Sequence, residues 1–354
     1  MRIGIYTQQL RDNYGGILQN YALQQVLKKL GHDPITLDCR PRSNFFWYLV
    51  SQVKTIFLIL IGKKRSFRKY NKIPQRSCYT TPFIQRYINT TWRMQFITPI
   101  VPYLLKIKCV ITGSDQVWRP AYNNLSYAFL SFVKNKKIKK IAYAASFGVD
   151  FWEYSDIQTK ECREWVKDFK AVSVREDSGV ALCKNYLNIN AIHVLDPTLL
   201  LSKDDYESLC SYVNPLSNKP FLVAYILDLS EEKENIVRNI AKEKGLEYII
   251  VSAEKNINKT VEEWLSMFRD ADYIVTDSFH GSIFSIIFQK PFNAIINSKR
   301  GENRFRSLLS LFDLEDRLIS EDIDSFSTED IDWSKIKNIH ENWILKSINF
   351  LNKI

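Results

Sequence analysis

The chain has 354 residues, 45% apolar and 25% charged, a balance that excludes disordered and fibrous classes and supplies more core than one domain usually organises, so two domains are expected. Six scattered cysteines without a CxxC pair predict reduced thiols, and four distant histidines (His32, His193, His280, His340) without HExxH spacing predict no protein-built metal site. The formal charge of +10 is regional: residues 39–114 carry 14 Lys and Arg and no Asp or Glu, so the remainder is net acidic and the basic stretch asks for an anionic partner.

The opening MRIGIYTQQL has no basic run followed by a long apolar stretch and a cleavage site, so a cytoplasmic protein without a signal peptide is expected. Residues 2–7 read as a buried strand. Ile17, Leu18, Tyr21, Ala22, Val26, Leu27 and Leu30 then recur at helical spacing, with Gly31 as the stop, and residues 34–38 form a second strand. Strand, helix, strand is the opening of a parallel α/β sheet, interrupted by the basic segment and resumed by strands at 108–112, 138–144, 171–174 and 191–195. A second series follows a loop at 211–219: strands at 221–227, 247–251, 272–276 and 292–296 alternate with helices at 230–244, 261–268 and 280–289. The expected organisation is therefore an N-terminal lobe (1–215) with a basic aromatic insertion at about 40–105, a second lobe (216–320), and a helical tail (321–354) that can pack back on the first lobe. No internal repeat is visible.

Residues 45–62 (FFWYLVSQVKTIFLILIG) are short and centrally polar for a membrane span, with Ser51, Gln52 and Lys54 in the middle and Lys63, Lys64, Arg65, Arg68 and Lys69 following. Two readings are open: an amphipathic helix on an anionic membrane face, involving residues 45–72, or a lobe-packing helix followed by a solvated basic loop. Nucleic acid is not expected as a partner, because no nucleic-acid module accompanies the charge.

Thr276-Asp277-Ser278-Phe279-His280-Gly281 joins a buried strand to an apolar helix, the place where open parallel sheets bind ligands. Helix N-termini attract phosphate and carboxylate, Asp277 or Ser278 can cap, and His280 either holds an anion and moves a proton or is a structural part of the turn. Gly113-Ser114-Asp115-Gln116-Val117-Trp118 repeats the pattern in the first lobe: Ser114, Asp115 and Gln116 offer hydrogen bonds to sugar hydroxyls, and Trp118 offers a flat ring face, unless this is an ordinary Asx-turn. Asn13-Tyr14-Gly15-Gly16 precedes the first helix and either presents amides to a ligand or is a tight connection. Arg175, just past a strand, either clamps an anion or pairs with Glu176, Asp177 or another carboxylate. Lys299, Arg300, Arg304 and Arg306 follow the last strand of the second series, and one or two of them are expected to face an anion.

Taken in order with Leu18-Gln19-Asn20-Tyr21-Ala22-Leu23, Tyr143-Ala144-Ala145-Ser146-Phe147-Gly148, Ser173-Val174-Arg175-Glu176 and Leu195-Asp196-Pro197-Thr198-Leu199-Leu200, these blocks make the chain resemble the polysaccharide pyruvyl transferase family over roughly residues 1–313. The resemblance implies two Rossmann-like lobes in the GT-B manner and no cofactor. Its co-substrate would be phosphoenolpyruvate, donating a pyruvyl ketal to a sugar diol in surface polysaccharide synthesis. It further implies His280 in donor binding and acid catalysis, and Arg175, Ser278, Gly281, Lys299, Arg300 and Arg304 around the donor. Asn13, Tyr14, Ser114, Asp115, Gln116 and Trp118 would lie around the acceptor, with Asp115 as a base. A lipid-linked oligosaccharide or other glycan acceptor at the inner membrane face would account for the basic segment. The competing readings are a nucleotide-sugar glycosyltransferase on the same architecture and a non-catalytic sugar or lipid-carrier binding protein.

Overall fold

The computed structural model describes residues 1–39, 53, 77–253, 258–297, 301–320, 326–327 and 329–354. The segment 45–72, Val53 apart, and Lys299 and Arg300 lie outside the described residues.

Two all-parallel sheets organise the chain. The first contains β1 (Arg2–Tyr6), β2 (Asp33–Thr36), β3 (Cys109–Thr112), β4 (Lys139–Ala145), β5 (Phe169–Val174) and β6 (Ile192–His193), in the order β2-β1-β3-β4-β5-β6. The second contains β7 (Phe221–Ile226), β8 (Glu247–Ser252), β9 (Tyr273–Thr276), β10 (Phe292–Ile295) and β11 (Leu318–Ile319), in the order β11-β10-β9-β7-β8. Continuous burial along β3, β7 and β9 is what parallel strands covered on both faces require. Each lobe begins on an inner strand, steps outward once, and then crosses back to build the other side. The first five strands of both lobes thus share one topology, a repeat the sequence does not display. The crossing point lies between β1 and β3 in the first lobe and between β7 and β9 in the second, and a crevice opens there beyond the strand ends.

The helices that matter to this crevice start at those strand ends. Helix α1 spans Tyr14–Lys29, three residues earlier than the apolar spacing indicates, because Asn13 caps it by accepting from the Gly16 amide at 3.0 Å. Tyr14, Gly15 and Gly16 are therefore its first turn rather than a connection before it. The basic region contributes α2 (Ser77–Tyr87) and α3 (Ile100–Leu104); α4 (Leu125–Ala128), α5 (Asp156–Val166), α6 (Asp177–Leu182) and α7 (Lys203–Cys210) complete the first half. The second half contains α8 (Glu231–Lys244), α9 (Val261–Asp270), α10 (Phe279–Ile287) and α11 (Asn303–Leu311), and the chain closes with α12 (Trp333–Leu351).

The lobes share apolar packing. Tyr14 stacks on Trp264 at 5.5 Å and its hydroxyl donates to the Lys259 carbonyl, while Tyr206 meets Phe284 edge-on at 5.0 Å. A single cluster of buried side chains runs from α1 through α7 to α9, α10 and α12. Helix α12 does return to the first lobe: Phe350 and Leu351 are buried, Phe350 packs on Tyr143, and Ser347 Oγ accepts from the Leu195 amide at 3.0 Å.

Candidate active site

The two crossing points face one another. In the first lobe Asn13 Nδ2 donates to Asp115 Oδ2 at 3.1 Å, tying the loop after β1 to the loop after β3. In the second lobe Asp277 accepts from the Asp228 amide at 3.2 Å, Lys233 Nζ at 2.8 Å and Asn297 Nδ2 at 3.0 Å. Asp277 is thus committed to pinning loops together. Ser278 caps α10, its hydroxyl accepting from the Gly281 amide at 3.3 Å. Gly281 lets that turn approach the end of β9, since a Cβ there would sit 2.2 Å from Thr276 Oγ1. The N-termini of α1 and α10 converge on a cleft of about 430 Å³ whose walls include Asn13, Asp115 and Gln116 on one side and Ser278, His280 and Arg304 on the other. Two convergent helix N-termini bias that space toward an anion.

Asp115 has φ of +72°, a left-handed conformation uncommon for a residue with a Cβ and held here by its surroundings. Its Oδ1 accepts from the Gln116 amide at 2.9 Å and from Arg175 Nη2 at 3.4 Å. Burial alone would raise its pKa, but Arg175, with His280 and Arg304, outweighs burial and holds the carboxyl below its ordinary range. Asp115 is therefore ionised and weakly basic.

Arg175 realises the ion-pair alternative. Its guanidinium is buried beneath the cleft floor, with Nη1 2.8 Å from Asp196 Oδ2 and Nε 3.7 Å from Glu176 Oε2, and it lies over the Phe279 ring at 4.4 Å. Asp196 also accepts from Ser114 Oγ at 2.8 Å and from Thr198 Oγ1 at 2.7 Å, so Ser114 is turned toward this ion pair. Burial raises Glu176, whose Oε1 accepts from the Phe147 and Gly148 amides.

His280 stands above this cluster. Its Nε2 is 3.9 Å from Asp196 Oδ2, beyond hydrogen-bond range, and is a buried ring nitrogen without a hydrogen-bond partner. Burial lowers its pKa; Asp196 and Asp115 oppose that shift, and Arg175 and Arg304 add to it. The imidazole is consequently neutral near pH 7. Arg304 lines the same wall. With the Gln116 amide turned so that its oxygen faces the guanidinium, it accepts from all three Arg304 nitrogens at 2.9 to 3.1 Å. Burial and the neighbouring Arg175 push Arg304 down to about 10, the mark of a cation whose site would favour an additional anion.

Of the acceptor-side expectations, Asn13, Asp115 and Gln116 lie on the cleft wall, but Trp118 does not. It is fully buried, stacked on Phe129 at 4.8 Å, with Nε1 donating to the Ala128 carbonyl. Tyr14 likewise joins the lobes through Trp264 rather than lining the cleft. The exposed aromatic on the wall is Tyr122, four residues past Trp118, with the Arg119 guanidinium 5.1 Å from its ring centre and Arg119 itself held by Glu153 at 3.2 Å. Nothing in the sequence singles out Tyr122, and of the carboxylates around Arg175 the sequence names Glu176 but not Asp196, although Asp196 stands inside the Leu195–Leu200 block. Burial, visible only in three dimensions, separates Trp118 from Tyr122.

Two doubly wound lobes whose crossing points meet across a polar cleft define an α/β protein of GT-B-like architecture. Within that class, the chain belongs to the polysaccharide pyruvyl transferase family, whose model matches residues 13–299. No curated protein matches it in sequence. Among solved structures, UDP-GlcNAc 2-epimerase from Methanocaldococcus jannaschii is similar at 13% identity and a TM-score of 0.47, over 96% of this chain and 92% of that one. MurG from Acinetobacter baumannii is similar at 8% identity and a TM-score of 0.43, over 98% and 90% of the two chains. UDP-GlcNAc 2-epimerase from Neisseria meningitidis gives 12% identity and a TM-score of 0.43, over 100% and 93%.

Proposed function

We propose that this transferase moves a pyruvyl group from phosphoenolpyruvate to two hydroxyls of a sugar, forming a ketal. The observation that carries the reading is His280: a buried imidazole in the first turn of α10, beside Arg304 and across from Asp115.

In this reaction a proton is added to C3 of the enol, making C2 electrophilic. One sugar hydroxyl attacks C2 and returns a proton to the imidazole that protonated C3, phosphate departs with the C–O bonding pair, and the second hydroxyl closes the ring as its proton leaves on the phosphate. The donor brings phosphate and carboxylate, which suit the α10 N-terminus, Ser278 and Arg304, with Lys299 and Arg300 as further cations of the same stretch. An anion next to His280 reverses the bias of burial and favours the imidazolium, giving the proton donor the reaction needs. Asp115, ionised and tied to Asn13, accepts a hydrogen bond from an attacking hydroxyl and orients it, and Arg175 supports Asp115 from below.

The test is phosphate release from phosphoenolpyruvate by the purified protein with a panel of galactose- and mannose-type aryl glycosides and lipid-linked oligosaccharides, followed by product mass. Acceptor-dependent release with a product heavier by one pyruvyl ketal is expected. Absence of release with every acceptor, combined with thermal stabilisation by nucleotide sugars and none by phosphoenolpyruvate, would replace the reading with a glycosyltransferase.

A further inference from the structure

Residues 92–104 carry exposed apolar side chains on the first lobe, none of which is among the residues lining the catalytic cleft. Trp92, Phe96, Ile100, Tyr103 and Leu104 are each more than half exposed, while Met94, Ile97 and Val101, interleaved with them, are buried. Elsewhere among the described residues the exposed large apolar side chains are scattered, so this concentration is distinctive. The surface is firmly displayed. The Met94 amide donates to the Asp38 carbonyl at 2.8 Å beside a bridge between Cys39 and Met94, and the Ile107 amide donates to the Pro102 carbonyl at 2.9 Å. Arg93, Lys106 and Lys108 are exposed around it, and no acidic residue occurs anywhere from 39 to 114.

We infer that this face docks on an anionic lipid surface, with the aromatic and aliphatic side chains entering the headgroup region and the cations meeting phosphate. Apolar side chains ringed by cations are what an interfacial site requires. None of these side chains lines the cleft, so docking here does not depend on the donor chemistry. Charge also selects among occupants: a second copy of the patch would bring like charges together, whereas an anionic bilayer complements it. Among the described residues no helix is long and apolar enough to cross a membrane.

The experiment compares sedimentation of the full chain with phosphatidylglycerol/phosphatidylcholine vesicles and with phosphatidylcholine vesicles, for the native protein and for a Phe96→Ser/Tyr103→Ser/Leu104→Ser variant. Circular dichroism and thermal unfolding report whether the variant folds, and a second variant, Lys106→Glu/Lys108→Glu, reverses two charges and leaves the apolar side chains in place. The native chain is expected to partition onto the anionic vesicles, less so as salt rises, and the triple variant to lose at least ~10-fold in partition coefficient. The charge variant is expected to weaken binding on anionic vesicles only. Phosphate release with a soluble aryl glycoside is expected to be the same in all three proteins, which separates failure here from failure of the catalytic reading. Equal partition of the native and triple-variant chains onto anionic vesicles would overturn the inference. So would a native chain that ignores vesicles and instead self-associates through this face, shown by a dimer that the triple variant abolishes.

Discussion

Gly15 and His280, from opposite lobes, are so close that a Cβ on Gly15 would lie 2.0 Å from His280 Nδ1. No side chain larger than hydrogen leaves the imidazole where it is, so the first turn of α1 sets the position of the residue at the first turn of α10. Gly15→Ala is therefore expected to displace the ring while leaving stability within about 1 kcal/mol, since alanine is also the better helix former. Turnover should fall by about 10²-fold, the scale of a misplaced catalytic group. Steady-state phosphate release and chemical denaturation measure the two quantities, and unchanged turnover would show that His280 needs no such placement.

His280 is held neutral by burial, and an incoming anion raises its affinity for a proton. Donor binding is thus expected to take up a proton. The dissociation constant for phosphoenolpyruvate should be flat below the free-protein pKa of His280 and rise by up to about tenfold per pH unit between the free and bound values. Calorimetry in buffers of different ionisation enthalpy counts the protons. His280→Gln should lose the uptake together with most turnover; equal uptake in the variant assigns the proton to another group.

Arg175 balances Asp196, Asp115 and Glu176 in a dry place. Removing it as Arg175→Met strands buried carboxylates and is expected to destabilise the fold by about 3–5 kcal/mol in urea denaturation. Asp115 and Asp196 are held below their ordinary range, against burial, chiefly by Arg175, so they stabilise the native state above the unfolded carboxylate pKa, and that stability disappears as pH falls through the lowered native values. Without the guanidinium the acid loss should begin at higher pH. A variant with unaltered acid unfolding would mean that other groups carry these charges.

Tyr122 is the exposed aromatic of the cleft wall, and one of its neighbours, Arg119, is anchored by Glu153. As a stacking surface for the acceptor sugar it predicts a selective effect: Tyr122→Ala should raise the acceptor KM by about threefold to tenfold, with kcat and the donor KM preserved. Trp118→Phe, a change in the core, should instead lower the melting temperature without moving the acceptor KM. The reverse pattern would return the sugar-binding role to the buried indole.

What the sequence determined by itself is local and compositional. Apolar runs at 2–7, 108–112, 221–227 and 272–276 are strands because their continuous burial is written in their composition, and Ser278 and His280 are legible as a helix start because a polar turn follows such a run. The alternation of strand and helix, together with ordered blocks from Asn13 to Gly281, was enough to anticipate the two lobes and the family. Only the tertiary structure decided which groups meet. Asp196 and Arg175 are separated along the chain, as are Gly15 and His280, and nothing in either segment records the distance that brings them together. It also decided which polar and aromatic groups are dry. Trp118 and Tyr122 look alike as sugar platforms in a string of letters, but packing against Phe129 removes the first from solvent and leaves the second on the cleft wall. Arg175 and Arg304 carry the same charge, yet surrounding carboxylates occupy one beneath the floor while the other faces the cleft, a difference made by burial and neighbours rather than by residue type.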